Sequence, residues 1–143
     1  MENNRLFELA DELKALRDRK DALEAELKQV NMDIDNVKSQ MRKGILEYCT
    51  LLILNKRRAY VSDIIQSLKD AQLIVVEGTL YPLLTRLKNA GLLTYAWQES
   101  TQGPPRKYYE LTAEGEAALS DLEKSWMELN RVITHIKEQN TTL

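Results

Sequence analysis

The sequence predicts a mainly α-helical protein with one small β-hairpin, on three observations. Apolar side chains recur every three or four residues over most of the 143-residue chain, which is the period of an amphipathic helix. Only five glycines and three prolines occur, so few positions interrupt a helix. Two segments between residues 93 and 111 alternate apolar and polar side chains around a Gly- and Pro-rich connection, which is typical of a hairpin. We therefore expect an N-terminal helix (1–41), a central domain (42–111) and a C-terminal helix (112–143).

The N-terminal stretch contains neither Gly nor Pro and carries a strict seven-residue apolar repeat. A repeat held over about five heptads predicts a coiled coil, because helices that pack on a globular body usually depart from strict spacing. The alternative is a single amphipathic helix that lies on the body of the same chain. The a and d positions of the repeat are Leu6, Leu9, Leu13, Leu16, Lys20, Leu23, Leu27, Val30, Ile34, Val37 and Met41.

Charges beside this repeat predict how two copies align. In a parallel, in-register pair, the flanking g and e positions bring together Glu12 with Arg17, Arg19 with Glu24, Glu26 with Asn31, and Asp33 with Lys38. Three of these four pairs have opposite signs, which favours a parallel homodimer. Lys20 at an a position opposes higher oligomers.

The central domain begins with three predicted helices, over residues 43–55, 62–71 and 78–89. Gly91 ends the third helix, since glycine tolerates the positive φ that follows many helices. Pro82 lies close to the start of this helix, where a missing N–H costs little if Gly78 or Thr79 is the cap. Two strands follow, with a long tip over residues 99–105. One face of the first strand presents Leu93, Tyr95 and Trp97, and one face of the second presents Lys107, Tyr109 and Leu111.

Three helices followed by a hairpin form the layout of a winged helix-turn-helix, whose third helix enters the DNA major groove. The charge distribution agrees with this, because residues 42–111 carry ten basic and six acidic side chains, a net +4, whereas 1–41 and 112–143 each carry −3. Thr79, Tyr81, Thr85 and Arg86 are the candidates for base or phosphate contacts on the third helix, and Lys88 for a phosphate contact.

The C-terminal stretch predicts one helix with Thr112 as its N-cap and acidic residues in its first turn. Its apolar stripe is longer than a small body can cover, which implies burial against another chain or against the N-terminal helix, and we predict that it forms a dimer interface. Trp126 is also a candidate for binding a small hydrophobic or aromatic effector, since two such rings meeting near a two-fold axis form a flat pocket. The stripe consists of Leu119, Leu122, Trp126, Leu129, Ile133 and Ile136.

Rare residues exclude several functions. One His (His135) and one Cys (Cys49) cannot build a zinc cluster or a disulfide framework within one chain, so we expect no metal and no cofactor. No phosphate-binding glycine loop and no nucleophile with an attendant base occurs, so we expect no enzyme. The longest strictly apolar run, residues 51–54, is too short for a membrane helix, and we expect a cytoplasmic protein without a membrane partner.

Five motifs in this order resemble the PadR family of bacterial transcriptional regulators: MRKGILE (41–47), EGTLYPLLTRL (77–87), GLL (91–93), GPPRKYY (103–109) and LTAEG (111–115). The resemblance covers roughly residues 41–135. It implies a winged-helix dimer that represses nearby genes, with the C-terminal helix contacting the partner's first helix and a small ligand sometimes bound near the dimer interface.

Residue by residue, the resemblance assigns Thr79, Tyr81, Thr85 and Arg86 to the recognition helix and Gly103, Arg106 and Lys107 to the wing. Tyr60 matches an aromatic residue that touches the DNA backbone. Two features differ from the family pattern: residues 60–63 read YVSD instead of Tyr-Gly-Tyr-Glu, and residues 1–40 are an addition.

The sequence thus predicts a homodimeric, ligand-responsive transcriptional repressor that reads a pseudo-palindromic operator in double-stranded DNA. The alternative is a coiled-coil adaptor for protein interaction whose winged-helix body does not bind DNA.

Overall fold

The structure of the protein is a computed structural model that describes residues 2–141. Four helices and one hairpin follow one another in the order α1 (Glu2–Lys56), α2 (Val61–Asp70), α3 (Glu77–Asn89), β1 (Leu93–Ser100), β2 (Gly103–Leu111) and α4 (Ala113–Thr141). The predicted fold class, mainly α with a small β-hairpin in a winged-helix arrangement, is confirmed.

The first helix is longer than either segment predicted from the sequence. The N-terminal heptad segment and the first helix of the central domain form one continuous helix, α1. No proline separates them, and Gly44 alone costs only about 1 kcal/mol of helix stability. The chain nevertheless divides into two compact units, one ending at Arg42 and the other beginning at Lys43.

The largest fully buried side chains of the second unit come from α1, α2 and α3, and Leu93, Tyr109 and Leu119 also belong to its core. Leu51, Ile64, Leu68, Leu80 and Leu84 are almost completely buried there. Thr50 is a buried polar residue, and its hydroxyl donates a hydrogen bond of 2.8 Å to the Leu46 carbonyl. The buried residues of each helix recur at helical spacing, so the amphipathic pattern places the three helices around one core.

The ends of α2 and α3 are set by local hydrogen bonds. The Tyr60 N–H donates to the Asp63 carboxylate at 3.0 Å, so an acid three residues into α2 satisfies a donor at its start. Helix α3 begins at Glu77 with Val76 as N-cap, which lies two or three residues before the Gly78 or Thr79 cap that the sequence predicts. At its other end Gly91 has φ of 79°, as predicted for the residue that ends this helix.

The hairpin has a shorter tip than predicted. Tyr95 pairs with Tyr109 and Trp97 with Lys107, and the strands continue until only two residues, Thr101 and Gln102, lie between them. The predicted long tip over residues 99–105 is therefore wrong. An irregularity in register between Gln98 and Ser100 lies opposite the two prolines of β2, and a bulge tolerates residues that have no N–H for the ladder.

A short segment before α2 extends the hairpin, which the sequence pattern did not indicate. Ala59 and Tyr109 form an isolated antiparallel bridge, with N–H to carbonyl distances of 3.0 Å and 2.9 Å. The bridge fixes the chain between α1 and α2 against β2, so Tyr60 is held beside the wing.

Helix α4 begins at Ala113, and Thr112 caps it as predicted, since the Thr112 hydroxyl accepts a hydrogen bond of 3.0 Å from the Gly115 N–H. The same hydroxyl donates to the Gly91 carbonyl at 2.6 Å, which ties the start of α4 to the end of α3. Leu119 is buried in the core and Leu122 packs partly against it. The rest of the predicted stripe is exposed, at Trp126, Leu129, Ile133 and Ile136.

Among the described residues 2–141, no helix has both the length and the apolar composition to cross a membrane.

Candidate nucleic-acid interface

Helix α3 presents one apolar and one polar face. Its leucines, Leu80, Leu83, Leu84 and Leu87, are buried in the core. Because this face is fixed, the intervening side chains point away from the core. All five predicted site residues of α3 are exposed, namely Thr79, Tyr81, Thr85, Arg86 and Lys88.

The side chains of two of these exposed residues already form a hydrogen bond or an ion pair within the chain. The Thr85 hydroxyl donates to the Tyr81 carbonyl at 3.0 Å, so it is held against its own helix. The Arg86 guanidinium forms an ion pair with the Glu47 carboxylate of α1. The sequence did not predict Glu47 as a partner of Arg86. The two residues lie 39 positions apart, and no repeat or motif in the sequence relates a residue of α1 to a residue of α3.

A concave surface of about 520 Å³ opens between the start of α2, the start of α3 and the hairpin. It brings together four of the predicted site residues, Tyr60, Tyr81, Arg106 and Lys107. The other predicted residues, Thr79, Thr85, Arg86, Lys88 and Gly103, lie outside its lining. The remaining lining residues are Val61, Ser62, Glu77, Trp97 and Pro105.

Aromatic rings and guanidinium groups lie close together beside this surface. The rings of Tyr60 and Tyr108 meet edge to face with centroids 4.5 Å apart. The Arg106 guanidinium lies 5.8 Å from the Tyr60 ring, and the Arg58 guanidinium lies 5.5 Å from the Tyr108 ring. Arg58 also approaches the Glu110 carboxylate at 3.8 Å. Such contacts position a guanidinium without neutralising it, so Arg106 remains able to bind an anion.

A second cluster lies on the hairpin itself. The Lys107 ammonium is 4.5 Å from the Tyr95 ring and 5.4 Å from the Trp97 ring, and the Lys88 ammonium is 5.5 Å from the Tyr95 ring. Lys88 of α3 and Lys107 of β2 therefore converge on one aromatic side chain. The spacing of residues along the chain did not predict this convergence.

The hairpin tyrosines have different roles. Tyr109 is buried in the core, whereas the half-buried Tyr108 meets the Tyr60 ring edge to face. Burial raises the pKa of Tyr109, with smaller contributions from the nearby Tyr81 and Tyr95. The phenol stays protonated at neutral pH.

An acidic residue, Glu77, lies in the lining of the concave surface near Tyr60 and Tyr81. Its carboxylate repels phosphate, so the surface combines attraction at Arg106 and Lys107 with repulsion at one edge. Sequence reasoning missed Glu77 as a site residue. The signal that could have indicated it was its position in the first turn of α3.

The lone cysteine and histidine lie away from this surface. Burial raises the pKa of the Cys49 thiol, which packs against the core, so the unreactive thiol form dominates. His135 is exposed on α4 and shares a hydrogen bond of 3.1 Å with Gln139. Within residues 2–141, no group of three or more His, Cys, Asp or Glu side chains is placed to hold a metal ion.

The chain is similar to known proteins over this second unit. It matches the sequence model of the transcriptional regulator PadR-like family over residues 50–121. A solved PadR-like transcription factor from Bacteroides fragilis is 71% identical, with a TM-score of 0.63; the match covers 71% of this chain and 98% of that one.

Two further relatives each match 68% of this chain. A solved PadR-like transcriptional regulator from Bacillus cereus is 33% identical, with a TM-score of 0.61 and coverage of 68% of this chain and 95% of that one. An uncharacterized protein of Lysinibacillus sphaericus is 29% identical over 100 residues, which are 68% of this chain and 92% of the relative.

Proposed function

Because the chain belongs to the PadR-like family of transcriptional regulators, which are not enzymes, we propose that it binds operator DNA through α3 and the hairpin as a ligand-responsive homodimeric repressor. The observation that carries the proposal is the burial of the leucine face of α3, which leaves its polar face exposed beside the concave surface of Tyr60, Arg106 and Lys107. A helix is about 10 Å across and the major groove about 12 Å wide, so this face fits the groove.

Different residues would make different DNA contacts. Thr79, Tyr81, Thr85 and Arg86 lie on the exposed face of α3 and would reach base edges or phosphates. Arg106, Lys107 and Lys88 would bind phosphates, with Tyr60 stacked under Arg106. Gly103 at the start of β2 would let the wing approach the backbone closely.

The exposed apolar side chains of α4 support a dimer. Trp126, Leu129, Ile133 and Ile136 are 45–58% exposed in the single chain, and a stripe of this kind is typical of an interface. A homodimer would place two copies of α3 about one DNA turn apart on a pseudo-palindromic operator. Leu119 and Leu122 would support this interface from within their own subunit, since they pack on the core.

Trp126 supports the effector part of the proposal. An exposed indole at a two-fold interface would bind a small hydrophobic or aromatic molecule. Such an effector changes DNA affinity only if it binds the two dimer states with different affinities. In a W97F variant the fluorescence of Trp126 is isolated, and we expect an effector to change that fluorescence and to release DNA at the same concentrations.

The central experiment measures binding to the DNA upstream of the protein's own gene over a series of salt concentrations. We expect a steep salt dependence, because each phosphate contact contributes about 0.9 to the slope of log K against log salt. The Lys107→Ala variant should lower that slope by about one. The Arg86→Ala variant should weaken binding to the operator more than to a scrambled duplex, by roughly tenfold.

Lys124→Ala is the matched control, since it removes one exposed positive charge from α4 and should leave operator affinity unchanged. Equal, salt-insensitive binding to operator and scrambled duplexes would contradict the proposal. A reporter gene placed behind the operator then distinguishes repression, in which deletion of the regulator raises expression, from activation.

A further inference from the structure

The N-terminal unit, up to Arg42, carries an apolar stripe that the proposed function does not use. Its apolar a and d side chains are 47–66% exposed, and they are Leu6, Leu9, Leu13, Leu16, Leu23, Leu27, Val30, Ile34, Val37 and Met41. Outside the stripe, the large exposed apolar side chains among the described residues of this unit are Phe7 and Met32. The apolar surface is therefore concentrated along one line of the helix, as in a helix that packs lengthwise on another helix.

This segment lies outside the residues that match the family model. The family match begins at residue 50, and the Bacteroides fragilis and Bacillus cereus structures are covered almost whole by 71% and 68% of this chain. The stripe therefore requires an explanation of its own, independent of DNA binding.

We propose that this stripe binds the same stripe of a second copy of the chain as a parallel, in-register, two-stranded coiled coil over residues 6–41. Charge complementarity identifies the occupant, because a parallel partner places Arg17 beside Glu12, Glu24 beside Arg19 and Lys38 beside Asp33. The apolar repeat spans five heptads, which is enough length for a two-stranded coil to form.

Lys20 is the one charged residue in the seam. Its ammonium lies 3.4 Å from the Glu24 carboxylate, four residues further on, so the side chain turns out of the stripe toward the flanking e position. A lysine that leaves the seam in this way is compatible with two strands and crowds a larger bundle. Its cost to the coil makes Lys20 a useful test position.

The charges beside the seam have weak partners in the single chain. The Gln29 amide donates to the Asp33 carboxylate at 3.1 Å, and the Lys38 ammonium lies 4.0 Å from the Asp35 carboxylate. Contacts between exposed side chains contribute little, so these groups are free to exchange for partners on a second copy.

Cysteine cross-linking of the full chain tests directly whether the two copies of the N-terminal helix are parallel and in register. In a Cys49→Ala background, Leu9→Cys and Val37→Cys place a thiol at the two ends of the seam. Each variant alone should form a disulfide-linked dimer under mild oxidation, because in-register strands bring identical residues together. Asp18→Cys, on the opposite side of the helix, is the matched control and should cross-link much more slowly.

Two outcomes would overturn the proposal. Cross-linking at equal rates for Leu9→Cys and Asp18→Cys would show that no seam forms. Cross-linking of Leu9→Cys only when it is mixed with an Ile34→Cys chain would show an antiparallel coil.

A cysteine variant could fail to cross-link because it misfolds, so a second variant is chosen that should stabilise the coil. Lys20→Leu should raise the midpoint temperature for loss of helix in the full chain, and should lower the concentration at which dimers dissociate by tenfold or more. The matched variant Lys14→Leu adds the same side chain off the seam and should leave both quantities unchanged. Equal effects of the two variants would contradict the proposed register.

Discussion

Arg86 and Glu47 show how a contact within the chain modifies a residue proposed to contact DNA. The guanidinium is exposed on α3, yet it is paired with a carboxylate of α1. An exposed ion pair contributes less than about 1 kcal/mol to stability, so the pair is easily exchanged for a phosphate or a guanine. Glu47 would therefore tune DNA affinity more than folding.

Neutralising Glu47 tests this. Glu47→Gln removes the competing charge, so we expect DNA affinity to rise several-fold and the unfolding temperature to stay nearly constant. The loss caused by Arg86→Ala should also be larger in the Glu47→Gln background. Glu116→Gln removes an exposed carboxylate of α4 and serves as the control; unchanged or weaker DNA binding by Glu47→Gln would contradict the competition between Glu47 and DNA.

Thr112 and Gly115 hold the start of α4 against the end of α3. Thr112 bonds to Gly91 and caps α4, and the α4 backbone at Gly115 packs directly on the Leu92 carbonyl. A Cβ at position 115 would overlap that carbonyl oxygen, whereas a Cβ at Gly44 of α1 would meet no atom within 4 Å. Two helical glycines thus have opposite structural roles.

Alanine substitutions at Gly115 and Gly44 should change the free energy of unfolding in opposite directions. Gly115→Ala forces α4 away from the body, so we expect a loss of about 1–3 kcal/mol in the free energy of unfolding. Gly44→Ala should raise it by about 0.5–1 kcal/mol, because alanine restricts the unfolded chain and favours the helix. Thermal and denaturant unfolding measure both changes, and a loss of stability at both sites would contradict this account of the junction.

The described residues 2–141 carry two exposed apolar stripes, one on α1 and one on α4. Each predicts a contact with a second copy, and the two stripes belong to different compact units. Their contributions to dimer formation should therefore be separable.

Removing the N-terminal stripe tests this separation. We expect a chain of residues 41–143 to remain dimeric by light scattering but to melt at a lower temperature than the full chain, since α4 alone then holds the subunits. A monomeric truncated chain would show that the main interface is not on α4.

A polar substitution on α4 should then dissociate the truncated dimer. Ile133→Asp introduces a charge into the exposed stripe, and we expect a monomer at concentrations where the parent chain is dimeric. Met127→Asp changes an equally apolar, exposed residue away from the stripe and should leave the dimer intact. Equal dissociation by both variants would contradict the assignment of the interface.

Patterns within each segment predicted the type and order of the elements, except that the two helices predicted over residues 1–41 and 43–55 are the single helix α1. The leucine spacing of α3, Gly91 at its end, Thr112 at the start of α4 and the alternation of the two strands each reflect interactions between residues close in the chain. Local propensity was less informative at the hairpin tip, because Pro104 and Pro105 are typical of a loop and are nevertheless accommodated beside a bulge.

The candidate site also contains residues that the sequence predicted and contacts that only the structure shows. The exposed face of α3 follows from helical periodicity, so Thr79, Tyr81, Thr85 and Arg86 could be named from the sequence. The Arg86 pair with Glu47, the bridge from Ala59 to Tyr109 and the convergence of Lys88 and Lys107 on Tyr95 join residues far apart in the chain. These contacts exist only once the common core has brought the helices and the hairpin together, because no local hydrogen bond or repeat specifies which distant side chain will be the neighbour.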